Sequence, residues 1–189
     1  MKQLILASGS PRRKEILEQV GLTFRVLPSD VEEVITKQVP SDIVMELSRQ
    51  KAKDVYEKLD ETNVIVLGAD TVVAFDGKIL GKPKNQEEAA QMLHMLSGKK
   101  HFVYTGVTLV TNKKELTFFE ETAVEFYPMS EKEIHDYIIS GEPMDKAGAY
   151  GIQGKAAAFI KRILGDYYNV VGLPIAKVIR NLQKMENND

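Results

Sequence analysis

The first twenty residues constrain the chain more tightly than any other stretch. Leu4-Ile5-Leu6-Ala7 is a short apolar run, Ser8-Gly9-Ser10-Pro11-Arg12-Arg13 is polar and turn-forming, and Lys14 to Val20 is amphipathic. A strand end, a tight turn and a helix start are therefore packed together. Free backbone N–H groups, two hydroxyls and two guanidinium groups gather at one point, and phosphate is the ligand such a point suits best. Capping offers a plainer account of part of it, because Ser10 is a good N-cap and Pro11 a good first helical residue. Capping leaves Arg12 and Arg13 unexplained, since the helix dipole disfavours positive charge in a first turn.

The rest of the chain alternates in the same manner. Strands are expected near 3–7, 24–27, 64–67, 72–75, 101–111, 116–127 and 157–164. Helices are expected at 11–20, from a Ser41 cap to about 59, from Asn85 to about 96, from Ser130 to Gly141, and at 174–185. Asp76-Gly77 is a hairpin signal. The pattern predicts an α/β fold with an α+β tendency: a mixed central sheet with flanking helices, as two lobes around a cleft. Its 189 residues suit a single domain, 1–189, with a polar tail at 186–189.

Composition excludes several kinds of chemistry. The chain has no cysteine and three histidines, which rules out thiolate sites and argues against a multi-histidine zinc site. A net charge of −2 gives no overall basic field for nucleic acid, so anion binding must come from a local cluster. No apolar run reaches the ~20 residues of a membrane span, and the N-terminus lacks a signal-like apolar region. The expectation is a soluble, cytoplasmic protein with neither a nucleic-acid nor a membrane partner.

Asp70 sits where the β-branched run Val64-Ile65-Val66-Leu67 ends, in Gly68-Ala69-Asp70-Thr71. Strand ends of this kind commonly carry functional carboxylates, although an Asp there also caps turns. Glu32-Glu33 lies in the loop after the second strand. Such a pair is ordinarily solvated, but Glu32 with Asp70 would suffice for a metal completed by substrate phosphates. Lys51 falls on or beside the apolar stripe Val44, Leu47, Val55, and Lys82 stands between Gly81 and Pro83. Each reads equally as an ordinary snorkelling or surface lysine. Asp145 to Gly154 holds three glycines, which suggests close backbone approach. Gln153 there has both a donor and an acceptor to read the edge of a base. Together these are the groups a nucleoside triphosphate with its divalent metal requires.

These segments, in this order and ending with Gly165-Asp166-Tyr167-Tyr168, resemble the Maf family, first named as septum-formation inhibitors, over residues 3–183. The resemblance implies a fold related to the inosine triphosphatases and a nucleoside triphosphate pyrophosphatase. Such an enzyme releases a nucleoside monophosphate and pyrophosphate with a divalent metal, Mg2+ or Mn2+. It implies Asp70 as proton acceptor, Ser8, Ser10, Arg13, Lys51 and Lys82 on the triphosphate, and Glu32 with Asp70 on metal. Arg12, Thr71 and Gln153 match the branch acting on dTTP and UTP, and modified pyrimidine nucleotides are further candidate substrates. The branch acting on 7-methyl-GTP carries tryptophan, glutamine and glutamate there, and this chain has no tryptophan. A homodimer is the assembly the resemblance implies. The rival expectation is a non-catalytic nucleotide-binding regulator of cell division.

Overall fold

The computed structural model describes residues 2–186. Seven strands form one mixed sheet, ordered β2-β1-β3-β5-β6-β7, with β4 paired to β3. The strands are β1 Gln3–Leu6, β2 Phe24–Val26, β3 Val64–Phe75, β4 Lys78–Leu80, β5 Lys100–Val110, β6 Glu115–Phe126 and β7 Ile160–Leu164. The helices are α1 Pro11–Gln19, α2 Pro40–Glu57, α3 Gln86–Leu96, α4 Glu131–Ile139, α5 Tyr167–Val171 and α6 Ile175–Glu186. β1 pairs in parallel with β2 and β3, whereas β3–β4 and β6–β7 are antiparallel. The expected mixed α/β class is the one found.

The described chain divides into two compact units. The first contains 2–70, 105–120 and 172–186; its apolar core joins Ile5, Val64 and Val66 of the strands to Ala52 and Val55 of α2. The second contains 71–104 and 121–171, and its core collects Leu93 and Leu96 of α3, Ile134 and Tyr137 of α4, Phe126 and Tyr150.

Local chemistry accounts for most boundaries. Ser130 and Glu133 close a reciprocal capping box at α4. Asn85 accepts from the Glu88 N–H at the start of α3. Asp76 and Gly77 both take left-handed φ, as the two-residue turn between β3 and β4 requires. Five expectations are corrected. β3 runs unbroken from Val64 to Phe75, so Asp70 lies inside a strand rather than where one ends. Ser10 stands at the N-cap of α1 but its side chain makes no capping bond; instead its N–H donates to Ser8 Oγ. α2 begins at Pro40 with Val39 as N-cap, so Ser41 lies inside the helix. Residues 157–159, expected as strand, belong to a 3-10 turn over Lys155–Phe159, because strand pairing with β6 starts only at Ile160. The five-residue α5 follows Asp166, whose Oδ1 accepts from the Tyr168 N–H, where only a turn was expected. Residues 187–189 of the polar tail lie outside the described residues.

Candidate active site

Lys51 and Asp70 meet because α2 presses directly on β3. A Cβ on Gly68 would lie 2.3 Å from the Ser48 carbonyl oxygen and 2.7 Å from the Ala52 nitrogen. Only glycine permits that approach, and a glycine within a β-branched strand signals it. Gly106 on β5 does the same beneath Val44, whose carbonyl oxygen would lie 2.2 Å from its Cβ. About two helical turns of α2, from Val44 to Ala52, therefore rest on the sheet backbone. Lys51, at the edge of the buried stripe, reaches Asp70 two residues beyond Gly68.

The Lys51 ammonium donates to Asp70 Oδ1 at 2.6 Å and stands 2.9 Å from Glu33 Oε1. The Asp70 side chain is 13% exposed. Burial raises its pKa, against the opposing pull of Lys51 and then Arg13, and Glu33 adds to the rise. Asp70 is thus a carboxylate whose neutral form is unusually accessible, held in place by an ammonium.

Arg13 completes this group. Its Nη1 donates to Ser8 Oγ at 2.9 Å and its Nε to the Gly172 carbonyl at 2.9 Å. Burial lowers its pKa, while Asp70 and Glu33 favour the charged form. Ser8 is itself buried. The turn after β1 therefore carries a guanidinium fixed from two sides and within electrostatic reach of Asp70.

The loop between β2 and α2 is tied along one face of α2. Ser29 Oγ donates to Asp54 at 2.7 Å. Gln50 accepts from the Val34 N–H at 3.0 Å and donates to the Val34 carbonyl at 2.6 Å. Glu46 accepts from the Thr36 N–H at 2.9 Å. Residues 46, 50 and 54 repeat at i, i+4, so a single helix face grips the strap. That grip brings Glu33 to Lys51.

Of the expected site residues, Ser8, Arg13, Lys51 and Asp70 are brought together in the first unit, with Arg12 and Ser10 half-buried on the same turn. Glu32, expected on the metal, and Glu33 are both exposed in the loop, and it is Glu33 that pairs with Lys51. The second unit holds the half-buried Thr71, the exposed Lys82 and the exposed Gln153. There the Gly148 N–H donates to the Gly81 carbonyl at 3.1 Å, joining the glycine-rich loop to the Lys82 turn. Sequence reasoning missed the role of Gln50, Glu46 and Asp54. Their spacing was legible, but it reads like any solvated helix face.

Among the described residues no three His, Cys, Asp or Glu side chains cluster as a ready cation cage. Asp70 and Glu33 are nevertheless both held on Lys51, and hard divalent cations accept one or two carboxylates when substrate phosphates supply the remaining oxygens. The donor set fits such an ion.

The fold is shared with the Ham1 protein of Staphylococcus aureus, at 14% identity and a TM-score of 0.57 over 98% of this chain and 100% of that one. Closer relatives bear the name dTTP/UTP pyrophosphatase. That of Bacillus mycoides (strain KBAB4) is 53% identical, spanning 100% of this chain and 98% of its own. That of Bacillus cytotoxicus is 55% identical over 99% and 97%, and that of Agathobacter rectalis 54% over 98% and 98%. The family model described as Maf-like protein matches residues 3–185, and the chain belongs to that family.

Proposed function

We propose that this protein is a nucleoside triphosphate pyrophosphatase acting on dTTP and UTP, which it cleaves to the nucleoside monophosphate and pyrophosphate. The observation that carries the reading is Asp70, largely shielded from solvent, raised in pKa and held by Lys51 beside Arg13. Relatives more than half identical over nearly their whole length, named dTTP/UTP pyrophosphatases, support the same substrates.

In this reading water attacks the α-phosphorus in line and pyrophosphate leaves. Asp70 orients the water and accepts its proton, a task for which burial makes its carboxylate more basic. Lys51 holds that carboxylate in one orientation. Arg13, Ser8, Ser10, Lys51 and Lys82 bind phosphate oxygens, and the fixed cations stabilise charge that develops on them. Asp70 and Glu33, with Glu32 beside them, would hold a divalent cation, Mg2+ or Mn2+; when bound it supplies charge neutralisation on the triphosphate. Gln153, with Arg12 and Thr71, selects the base. A neutral amide donates to a uracil or thymine carbonyl and accepts from its N3–H.

Incubation of the purified protein with a panel of nucleoside triphosphates and Mg2+ or Mn2+, with pyrophosphate detection, tests this. Release from dTTP and UTP ahead of the other nucleotides is expected. Binding without release would overturn it in favour of a nucleotide-binding regulator.

A further inference from the structure

The loop that carries Gln153 is held by side chains to which nothing above gives a role. Gln153 lies in a short turn closed by the Gly154 N–H donating to the Gly151 carbonyl at 3.2 Å. Each end of that turn is anchored to the same pair of residues. At one end the Gly151 N–H donates to the hydroxyl of Tyr137, on α4, at 3.3 Å. At the other, the Lys155 N–H donates to Glu142 Oε2 at 3.0 Å. The two anchors are joined, because the Tyr137 hydroxyl donates to Glu142 Oε1 at 3.1 Å.

The turn lies close against the Glu142 carboxylate. A Cβ on Gly154 would lie 2.0 Å from Glu142 Oε1, so the glycine lets the carboxylate sit directly against the turn. Glu142 is fixed in turn, since its carbonyl accepts from the Lys146 ammonium at 2.8 Å. The Tyr137 ring packs edge-on against Phe159, with centroids 5.5 Å apart. Gln153 itself is exposed, so no packing of its own side chain orders it. An exposed amide that must match one pattern of base donors and acceptors needs its backbone fixed by something else.

We propose that Tyr137 and Glu142 form a clasp that positions Gln153, making them positioning residues for the choice of base. The inference rests on the base-reading role proposed for Gln153. It predicts that loosening the clasp degrades discrimination between bases while leaving attack on the α-phosphorus largely intact.

The test compares kcat and KM for UTP and CTP, which share ribose and triphosphate but differ in the base edge. Gln153→Ala is measured first and is expected to lower the UTP-over-CTP ratio of kcat/KM on the order of tenfold. An unchanged ratio in that variant would remove the base-reading assignment and the clasp's purpose with it. Given that drop, Tyr137→Phe and Glu142→Ala are each expected to lower the ratio through KM for UTP, with kcat held within about twofold. Glu142→Gln, which keeps an acceptor for the Lys155 N–H, is expected to restore most of it. Glu142→Ala placed on Gln153→Ala should lower the ratio no further. Clasp variants that keep the wild-type ratio while Gln153→Ala loses it would overturn the proposal. So would an equal fall in kcat for both nucleotides, the mark of a merely structural role. Should Glu142→Ala fail to fold, Tyr137→Phe decides the matter alone, because it removes one oxygen and leaves the ring on Phe159.

Discussion

Asp70 takes its chemistry from what surrounds it. An exposed aspartate on a strand would be an ordinary carboxylate; here burial raises the pKa of Asp70, and Lys51 and Arg13 keep the charged form within reach. Asp70→Asn preserves the side-chain shape and an acceptor for Lys51, so the thermal melt is expected to match wild type. Pyrophosphate release from UTP is expected to fall by at least ~10²-fold. Near-normal turnover in that variant would remove Asp70 from the role of base. At this scale Asp70 and Arg13 stood out by residue type and local pattern, whereas Lys51 read as an ordinary lysine beside an apolar stripe. That Glu33 pairs with Lys51 was not legible, because adjacent loop carboxylates are chemically identical until the backbone aims one of them.

α2 does two jobs at the scale of an element. Its inner side rests on Gly68 and Gly106, and the face bearing Glu46, Gln50 and Asp54 holds the strap that delivers Glu33. Gly68→Ala drives a Cβ into the Ser48 carbonyl, and a loss of roughly 1–3 kcal/mol is expected, read as a lower urea midpoint. Turnover should fall as well, since the helix cannot move away without separating Lys51 from Asp70. Gln50→Ala removes both bonds to Val34 at little cost to the core. It is expected to expose residues 27–39 to limited proteolysis and to reduce UTP turnover roughly tenfold. An intact strap under protease, with undiminished turnover, would show that Gln50 does not place Glu33. The helix itself was predictable from its apolar stripe. The strap was not, because its bonds run from side chains to the backbone of a loop with no periodicity.

For the molecule as a whole, acid stability has an identifiable source in the second unit. His101 is fully buried, its Nε2 is 2.8 Å from the Tyr150 hydroxyl, and its ring meets Phe126 and Tyr150 edge-on. Burial lowers its pKa from 6.5 to about 4. The unfolded chain therefore binds a proton that the folded chain refuses, so stability is full above pH 6.5 and falls as the pH drops towards 4. The loss from this one group is about 3 kcal/mol. Urea midpoints across that range should fall more steeply for wild type than for His101→Asn; parallel slopes would dismiss the histidine as the cause. By itself the sequence determined the α/β alternation, the capping box at Ser130, the Asp76-Gly77 hairpin and the residue types available for phosphate, metal and base. Those follow from local rules, in which spacing and backbone preference act over a few residues. Tertiary structure alone decided that Lys51 joins Asp70 to Glu33, that Gly68 is where helix meets strand, and that Tyr137 and Glu142 hold the Gln153 turn. Each depends on contacts between residues 13 to 20 apart in the chain, a distance over which only packing chooses partners.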